Sequence, residues 1–177
     1  MLRTIFKPLL LAALGALGGC GLTQTVTDAT TETTKSIFSK QVKTLHLDFT
    51  GRAAANTDVT DMTGLSVPTL VRVYQLRDSK ALEKASYDSL LSDGASVLSA
   101  DLVDERAMVV KPGEGVQLTI PMDKDAKVVA VLALFREPDT QLNTWRLTLT
   151  RDDLEVDRAR VIELGDNRLT LQPLTKG

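Results

Sequence analysis

The sequence has little of several residue types on which functional sites depend. Its 177 residues include one Cys and one His, and aromatic residues make up only 4 %. A single Cys excludes an intramolecular disulfide framework and any zinc site built from several thiolates. A single His excludes a multi-histidine metal site. With 21 basic and 23 acidic residues the formal net charge is −2, which argues against a nucleic-acid binder. What remains, 43 % apolar and 25 % charged residues, is typical of one globular domain.

Residues 1–19 have the composition of a signal peptide. Arg3 and Lys7 form a positive start, and residues 8–17 are an apolar run too short to span a bilayer. A buried N-terminal helix is the alternative, which Gly15, Gly18 and Gly19 disfavour. We therefore expect this segment to be removed.

The end of the signal segment resembles the bacterial lipobox. Leu17-Gly18-Gly19-Cys20 is a Leu and two small residues followed by the only Cys of the chain. The resemblance implies that Cys20 becomes the mature N-terminus and carries diacylglyceryl and N-acyl groups, with no other cofactor. Gly21 stands where Asp commonly signals inner-membrane retention, which implies the periplasmic face of the outer membrane. A plain signal peptide with an incidental Cys is the alternative.

Residues 20–42 are predicted to form a tether and residues 43–177 a folded domain. Seven of the twelve residues from Thr23 to Thr34 are Thr, and such a segment cannot build a core.

Apolar alternation beyond the tether predicts an all-β domain, a β-sandwich of about eight strands. Pro112-Gly113 and Gly165-Asp166-Asn167 mark turns between strands. Residues 128–135 are continuously apolar, which predicts a central strand buried on both faces. Trp145, which alternates with Leu, is read as a core residue. The predicted strands cover residues 45–50, 69–76, 108–111, 116–120, 128–135, 145–150, 160–164 and 168–172.

One helix is predicted within the strand pattern. Asp78 or Ser79 can cap a helix over Lys80–Ser92, and Gly94 can end it.

No catalytic constellation can be assembled from the sequence. His46 falls on the polar side of the first strand, and Asp123-Lys124-Asp125 lacks the distal Glu of a calcium loop. There is no nucleophile elbow and no phosphate-binding loop. We therefore predict neither an enzyme nor a small-molecule substrate.

The sixteen-residue segment Arg52–Val67 is long for a connection between strands. Its larger apolar residues could form a contact surface with polar residues around it, and exposed apolar groups rimmed by polar ones mark partner sites. We predict a partner-binding loop, and the alternative is a cover folded back onto the domain. The candidate residues are Arg52, Asn56, Asp58, Val59, Asp61, Met62, Leu65 and Val67.

The chain as a whole resembles the outer-membrane lipoprotein family of bacterial type VI secretion systems (TssJ or SciN-like proteins). The stretches that carry the resemblance cover most of the mature domain. They are Val71-Arg72-Val73-Tyr74-Gln75-Leu76, Ala85-Ser86-Tyr87-Asp88-Ser89-Leu90-Leu91, Lys111-Pro112-Gly113, Ala133-Leu134-Phe135-Arg136 and Thr144-Trp145-Arg146.

This resemblance implies a transthyretin-like β-sandwich with an added helix. It also implies binding to the periplasmic C-terminal part of a TssM-like inner-membrane protein, and through it an indirect link to a TssL-like protein. The loop between the first two strands is implied as the contact, without individual residues. Two alternatives stay open: a generic periplasmic binding or pilotin-like lipoprotein of another envelope assembly, and a small hydrolase.

Overall fold

A computed structural model describes residues 42–58, 60 and 65–174. They form eight strands, two α-helices and a 3-10 turn, which confirms the predicted all-β class and the strand count. The helices are α1, Lys80–Lys84, and α2, Tyr87–Val97, and the 3-10 turn is Arg151–Asp153. The strands are β1 Thr44–Gly51, β2 Thr69–Leu76, β3 Leu102–Val110, β4 Gly115–Pro121, β5 Val128–Leu134, β6 Arg146–Thr150, β7 Arg160–Gly165 and β8 Arg168–Leu171.

The strands form two four-stranded sheets, in the orders β4-β1-β7-β8 and β3-β2-β5-β6. All neighbouring strands are antiparallel except β1 and β7, which run parallel from Leu47 beside Arg160 to Gly51 beside Leu164. In β1 the side chains of Leu45, Leu47 and Phe49 are at most 1 % exposed, while the residues between them are partly exposed. This alternation shows one sheet face in the core and one toward solvent.

The strand β5 is buried on both faces, as its continuous apolar run predicts. One face meets the opposite sheet, and the helices cover the other. Leu82, Tyr87 and Leu90 of the helices are buried. Arg72 Nη1 donates to the Leu90 carbonyl at 2.8 Å, which ties α2 to the outer face of β2.

The helical insertion differs from the single helix predicted over Lys80–Ser92. Helix α1 ends at Lys84 because Ala85 is extended, and Ser86 then caps α2 by accepting from the Ser89 amide. Non-helical backbone at Asp93 interrupts α2 directly after Ser92, where the predicted helix ends, and a further helical turn then continues through Gly94 to Val97. Gly94 is needed for a close approach, because a Cβ there would overlap the Tyr74 hydroxyl.

The topology gathers the connections at two ends of the sandwich. One end, here called the loop end, holds the β1–β2 loop, the β3–β4 turn, the β5–β6 connection and the β7–β8 turn. The other, here called the Val42 end, holds the start of the described chain and the segments 122–127 and 151–159. Strand β1 joins the two ends. Within the described part of the chain no helix has the length and apolarity to cross a membrane.

Candidate functional site

The β1–β2 loop leaves the sandwich at Arg52, which is fastened to the neighbouring strand β7. Its amide donates to the Leu164 carbonyl at 2.8 Å, and its Nε lies 2.8 Å from a Glu163 carboxylate oxygen. The side chain of Arg52 is 59 % exposed, so water screens this ion pair and its energetic value is small. The main-chain bond fixes the direction in which the loop departs.

Asn56 joins the two stems of the loop and holds them against the β5–β6 connection. Its side-chain oxygen accepts from the Arg136 amide at 2.9 Å, and its carbonyl accepts from the Val67 amide at 3.0 Å. Asn56 is only 2 % exposed. It therefore shapes the loop from within and offers no surface to a partner.

The β7–β8 turn holds the loop from the other side through Asn167. The Asn167 side chain accepts from the Thr57 amide at 3.0 Å and donates to the Thr57 carbonyl at 2.8 Å. Asn167 adopts a positive φ of 56°, which Asn tolerates better than most residues. The Asn167 side chain thus bonds both main-chain groups of Thr57, as a neighbouring strand would. Together with Asn56 it joins the β1–β2 loop, the β5–β6 connection and the β7–β8 turn into one hydrogen-bonded unit.

Asp58 forms the last described contact before the loop tip. Its carboxylate accepts from the Thr60 hydroxyl and amide, and it lies 2.9 Å from Arg136 Nη2. The Thr60 hydrogen bonds, with the Arg136 charge as a smaller contribution, hold the pKa of Asp58 below its ordinary value. The carboxylate is therefore ionised at neutral pH and closes the stem onto Arg136.

Two leucines project from this hydrogen-bonded frame. Leu65 on the β1–β2 loop is 65 % exposed, and Leu142 on the β5–β6 connection is 77 % exposed. A cavity of about 180 Å³ lies beside Leu142, lined also by Asp139 and Arg168. Exposed apolar side chains rimmed by charged groups are typical of a protein-contact surface.

The five predicted loop residues that the structure describes divide into three groups. Arg52, Asn56 and Asp58 build the frame, Leu65 is exposed, and Val67 is half-buried with its amide bonded to Asn56. Val59, Asp61 and Met62 lie outside the described residues, as do Cys20 and Gly21.

Sequence reasoning missed three residues of this surface. Arg136 and Asn167 are the partners of the loop stems, and Leu142, 77 % exposed, is the most exposed large apolar residue in the described part of the chain. The turn sequence Asp166-Asn167 signals a positive φ, but no local signal links it to a residue 110 positions earlier. Only the folded chain brings them together.

The described residues hold little that resembles a catalytic or metal centre. No group of three or more His, Cys, Asp or Glu within them is placed to hold a metal ion. His46 lies on the solvent side of β1, with Nδ1 3.3 Å from the Thr119 hydroxyl. Trp145 is 1 % exposed and stacks edge-on against Tyr87, which confirms it as a core residue.

Comparison with known protein families is decisive. A family model described as "Type VI secretion lipoprotein, VasD, EvfM, TssJ" matches residues 43–170, most of the chain. The chain belongs to this family. The type VI secretion lipoprotein resemblance is thus confirmed. A search of curated proteins gave no match.

Solved structures extend the match. A chain in the structure described as "T6SS protein TssM C-terminal domain (869-1107) from EAEC" is 39 % identical, with a TM-score of 0.68; the match covers 75 % of this chain and all of that one. A chain of a "Type VI membrane complex" is 41 % identical, with a TM-score of 0.70 and the same coverage. The lipoprotein TssJ1 from Pseudomonas aeruginosa is 22 % identical with a TM-score of 0.60, and covers 75 % of this chain and 98 % of its own. The fold of this type VI secretion lipoprotein is accordingly the transthyretin-like β-sandwich that the resemblance implied.

Proposed function

We propose that this lipoprotein binds the periplasmic C-terminal part of a TssM-like inner-membrane protein through its loop end. The observation that carries the proposal is the frame of Asn56, Arg136 and Asn167, which holds together two connections of the loop end that each carry an exposed leucine, Leu65 and Leu142. A frame that is already hydrogen-bonded loses less conformational entropy on binding than a free loop does. The 39 % and 41 % identical chains support the choice of partner, because their structures are described by the TssM C-terminal domain and the membrane complex.

The position of the loop end suits a link between two membranes. The tether is covalently joined to the domain at Val42, and β1 carries the chain to the opposite end. Eight residues of strand span about 26 Å. In our proposal Cys20 carries the lipid in the outer membrane, the tether spans residues 20–42, and the loop end faces the inner-membrane partner and, through it, the TssL-like protein. Such a linker needs no turnover, so we propose no enzymatic activity and no cofactor beyond the lipid.

Calorimetric titration of the chain from Thr23 onward with the TssM-like periplasmic domain tests the contact. We expect a dissociation constant at or below micromolar. The variant with both Leu65→Ser and Leu142→Ser should bind about tenfold more weakly, because buried apolar anchors dominate interface energies.

Leu91→Ser is the matched control, since Leu91 is a 44 % exposed leucine on α2 and belongs to none of the four connections of the loop end. If the double variant binds as tightly as the unchanged chain, the loop end is not the contact. If the unchanged chain does not bind while both proteins are folded, the proposed partner is wrong and a lipoprotein of another envelope assembly is the better description.

Gly21→Asp tests the proposed placement in the outer membrane. Asp after the lipidated Cys is expected to retain the lipoprotein in the inner membrane. We therefore expect sucrose-gradient fractionation to move the variant from outer-membrane to inner-membrane fractions. Gly21→Ser is the control and should stay with the outer membrane; an unmoved Gly21→Asp variant would contradict the sorting role.

A further inference from the structure

Strand β1 connects the two ends of the domain directly. It begins two residues after Val42, where the tether joins, and ends at Gly51, where the β1–β2 loop begins. It is an inner strand, flanked by β4 on one side and β7 on the other. Any pull between the tether and the loop end must therefore pass along this strand or through its neighbours.

Strand β1 is paired on both flanks, with β4 from Thr44 to Thr50 and with β7 from Leu47 to Gly51. Seven residue pairs join it to β4 in the antiparallel sense, and five pairs join it to β7 in the parallel sense. Leu45, Leu47 and Phe49 anchor the strand in the core at no more than 1 % exposure. To slide along its axis, β1 would have to break these pairs together and drag three large side chains through a packed interior.

The two ends of β1 are also fastened. At the Val42 end, Arg151 Nη1 donates to the Val42 carbonyl at 2.9 Å, and the Met122 amide donates to the Lys43 carbonyl at 2.9 Å. At the loop end, the Gly51 amide donates to the Glu114 carbonyl at 2.9 Å. These bonds lie where a pull would first reach the fold.

We propose that the domain is a tension link in which β1 carries a pull between the tether and the β7–β8 turn of the loop end in shear against β7. Parallel neighbours pulled from opposite ends slide past each other, so their hydrogen bonds are strained at the same time. An edge strand pulled from its free end instead peels off one bond after another. This proposal depends on the proposed function only for the two points of the domain at which the pull is applied.

The edge strand β8 offers a matched pair of attachment points. Its first residue, Arg168, is exposed at the loop end. Leu174, 38 % exposed, lies three residues beyond the end of β8, toward the Val42 end. Between them, the Gln172 amide donates to the Val161 carbonyl and forms the final hydrogen bond that holds this part of the chain to β7. Pulling Arg168 against the tether loads β1, β7 and β8 along their axes. Pulling Leu174 against the tether peels β8 from β7.

Single-molecule force spectroscopy can compare these two directions on one protein. The chain from Cys20 to Gly177, produced without lipid, carries one native thiol at Cys20 for the first handle. The second handle is attached through Arg168→Cys or through Leu174→Cys. Either geometry releases roughly 40 nm of chain when the domain unfolds, so the same event is scored in both.

We expect the Arg168→Cys attachment to unfold at about twice the force of the Leu174→Cys attachment or more, since forced unfolding follows the barrier along the pulled direction. Equal forces, or a lower force at Arg168→Cys, would overturn the proposal. Chemical denaturation of both variants should coincide, which shows that direction and not stability sets the difference. No partner is present, so failure here leaves the proposed TssM-like contact untouched, and the reverse also holds.

Discussion

The two ends of the sandwich are built with different chemistry. At the Val42 end, arginines donate to main-chain carbonyls. Arg151 bonds the carbonyls of Val42 and Ala126, each at 2.9 Å, and also that of Asp123. Arg160, 6 % exposed, bonds the carbonyls of Asp153 and Gln172. At the loop end, the side-chain amides of Asn56 and Asn167 and the ion pairs Arg52–Glu163 and Arg136–Asp58 hold the loop stems, and Leu65 and Leu142 are exposed to solvent.

This difference gives the two ends different roles in our proposal: the Val42 end maintains the fold, and the loop end contacts the partner. Main-chain carbonyl groups at the ends of strands and in turns need hydrogen-bond donors. One guanidinium, with five N–H groups, can donate to carbonyls of several segments at once. The Val42 end is thereby closed where the predicted tether joins the domain. The loop end satisfies its stems with Asn56 and Asn167 and leaves the apolar side chains of the loops uncovered. A surface held ready in this way is what a binding site needs, and the following changes test the division from the largest expected effect to the smallest.

Cys20→Ser removes the anchor while leaving both ends of the domain intact. We expect the variant to be entirely soluble in the periplasm and secretion to be abolished, with partner binding by the isolated domain unchanged, because our proposal places the lipid on the Cys20 thiol, the only thiol in the sequence. Metabolic labelling with palmitate and membrane fractionation check this. Palmitate incorporated into the variant would show that the lipid is attached elsewhere.

Arg151→Met should weaken the Val42 end alone. Three carbonyls lose a charged donor, which we expect to lower the free energy of unfolding by about 2–3 kcal/mol. Urea denaturation measures the loss, and calorimetry at a temperature where the variant is folded should find partner binding unchanged. Arg168→Met, which removes an exposed arginine, is the control and should stay within about 0.5 kcal/mol of the original stability. A similar loss in both variants would contradict the role given to Arg151.

Asn167→Gly should weaken the loop end alone. Glycine keeps the positive φ and removes both hydrogen bonds to Thr57, so we expect a stability loss of about 1 kcal/mol together with weaker partner binding. Asn143→Gly is the matched control, because Asn143 also has a positive φ, 54°, on the β5–β6 connection. Undiminished partner binding by Asn167→Gly would show that the frame does not prepare the surface.

Acid should loosen each end through one carboxylate. The Thr60 hydrogen bonds lower the pKa of Asp58, and the Thr150 hydrogen bonds lower the pKa of Asp153, from an ordinary 3.8. A lowered pKa in the folded state means that the stabilisation is present above the ordinary value and is lost as the pH falls through the lowered one. Both contacts therefore persist at neutral pH.

Amide chemical shifts measured across an acid titration test this at both ends. The Thr60 and Thr150 amides donate to these carboxylates at 2.8 and 2.7 Å, so their shifts should titrate with midpoints below 3.8. Asp58→Asn should abolish the Thr60 transition and spare that of Thr150. A midpoint at or above 3.8 at either amide would contradict the assignment there.

The local pattern of apolar residues was enough to predict most of the strands. The predicted span 69–76 coincides with β2, and the turn Asp166-Asn167 has the positive φ values that its residue types favour. Where a tertiary contact competes with local preference, the pattern misled. Ser86 starts a second helix where the pattern predicts one continuous helix, and Gly94 leaves room for the Tyr74 hydroxyl, a contact that no local pattern indicates.

By itself the sequence determined what depends on neighbours along the chain: most of the strands and the family resemblance, together with the predictions of a lipobox at Cys20 and a Thr-rich tether. Only the tertiary structure decided which loops share an end, since Arg136 and Asn167 meet the β1–β2 loop across 80 and 110 residues. It also decided that β1 runs from the tether to that surface between two paired neighbours. Side-chain alternation reports which face of a strand is buried, but strand order and the meeting of distant loops follow from how the two sheets close over one core.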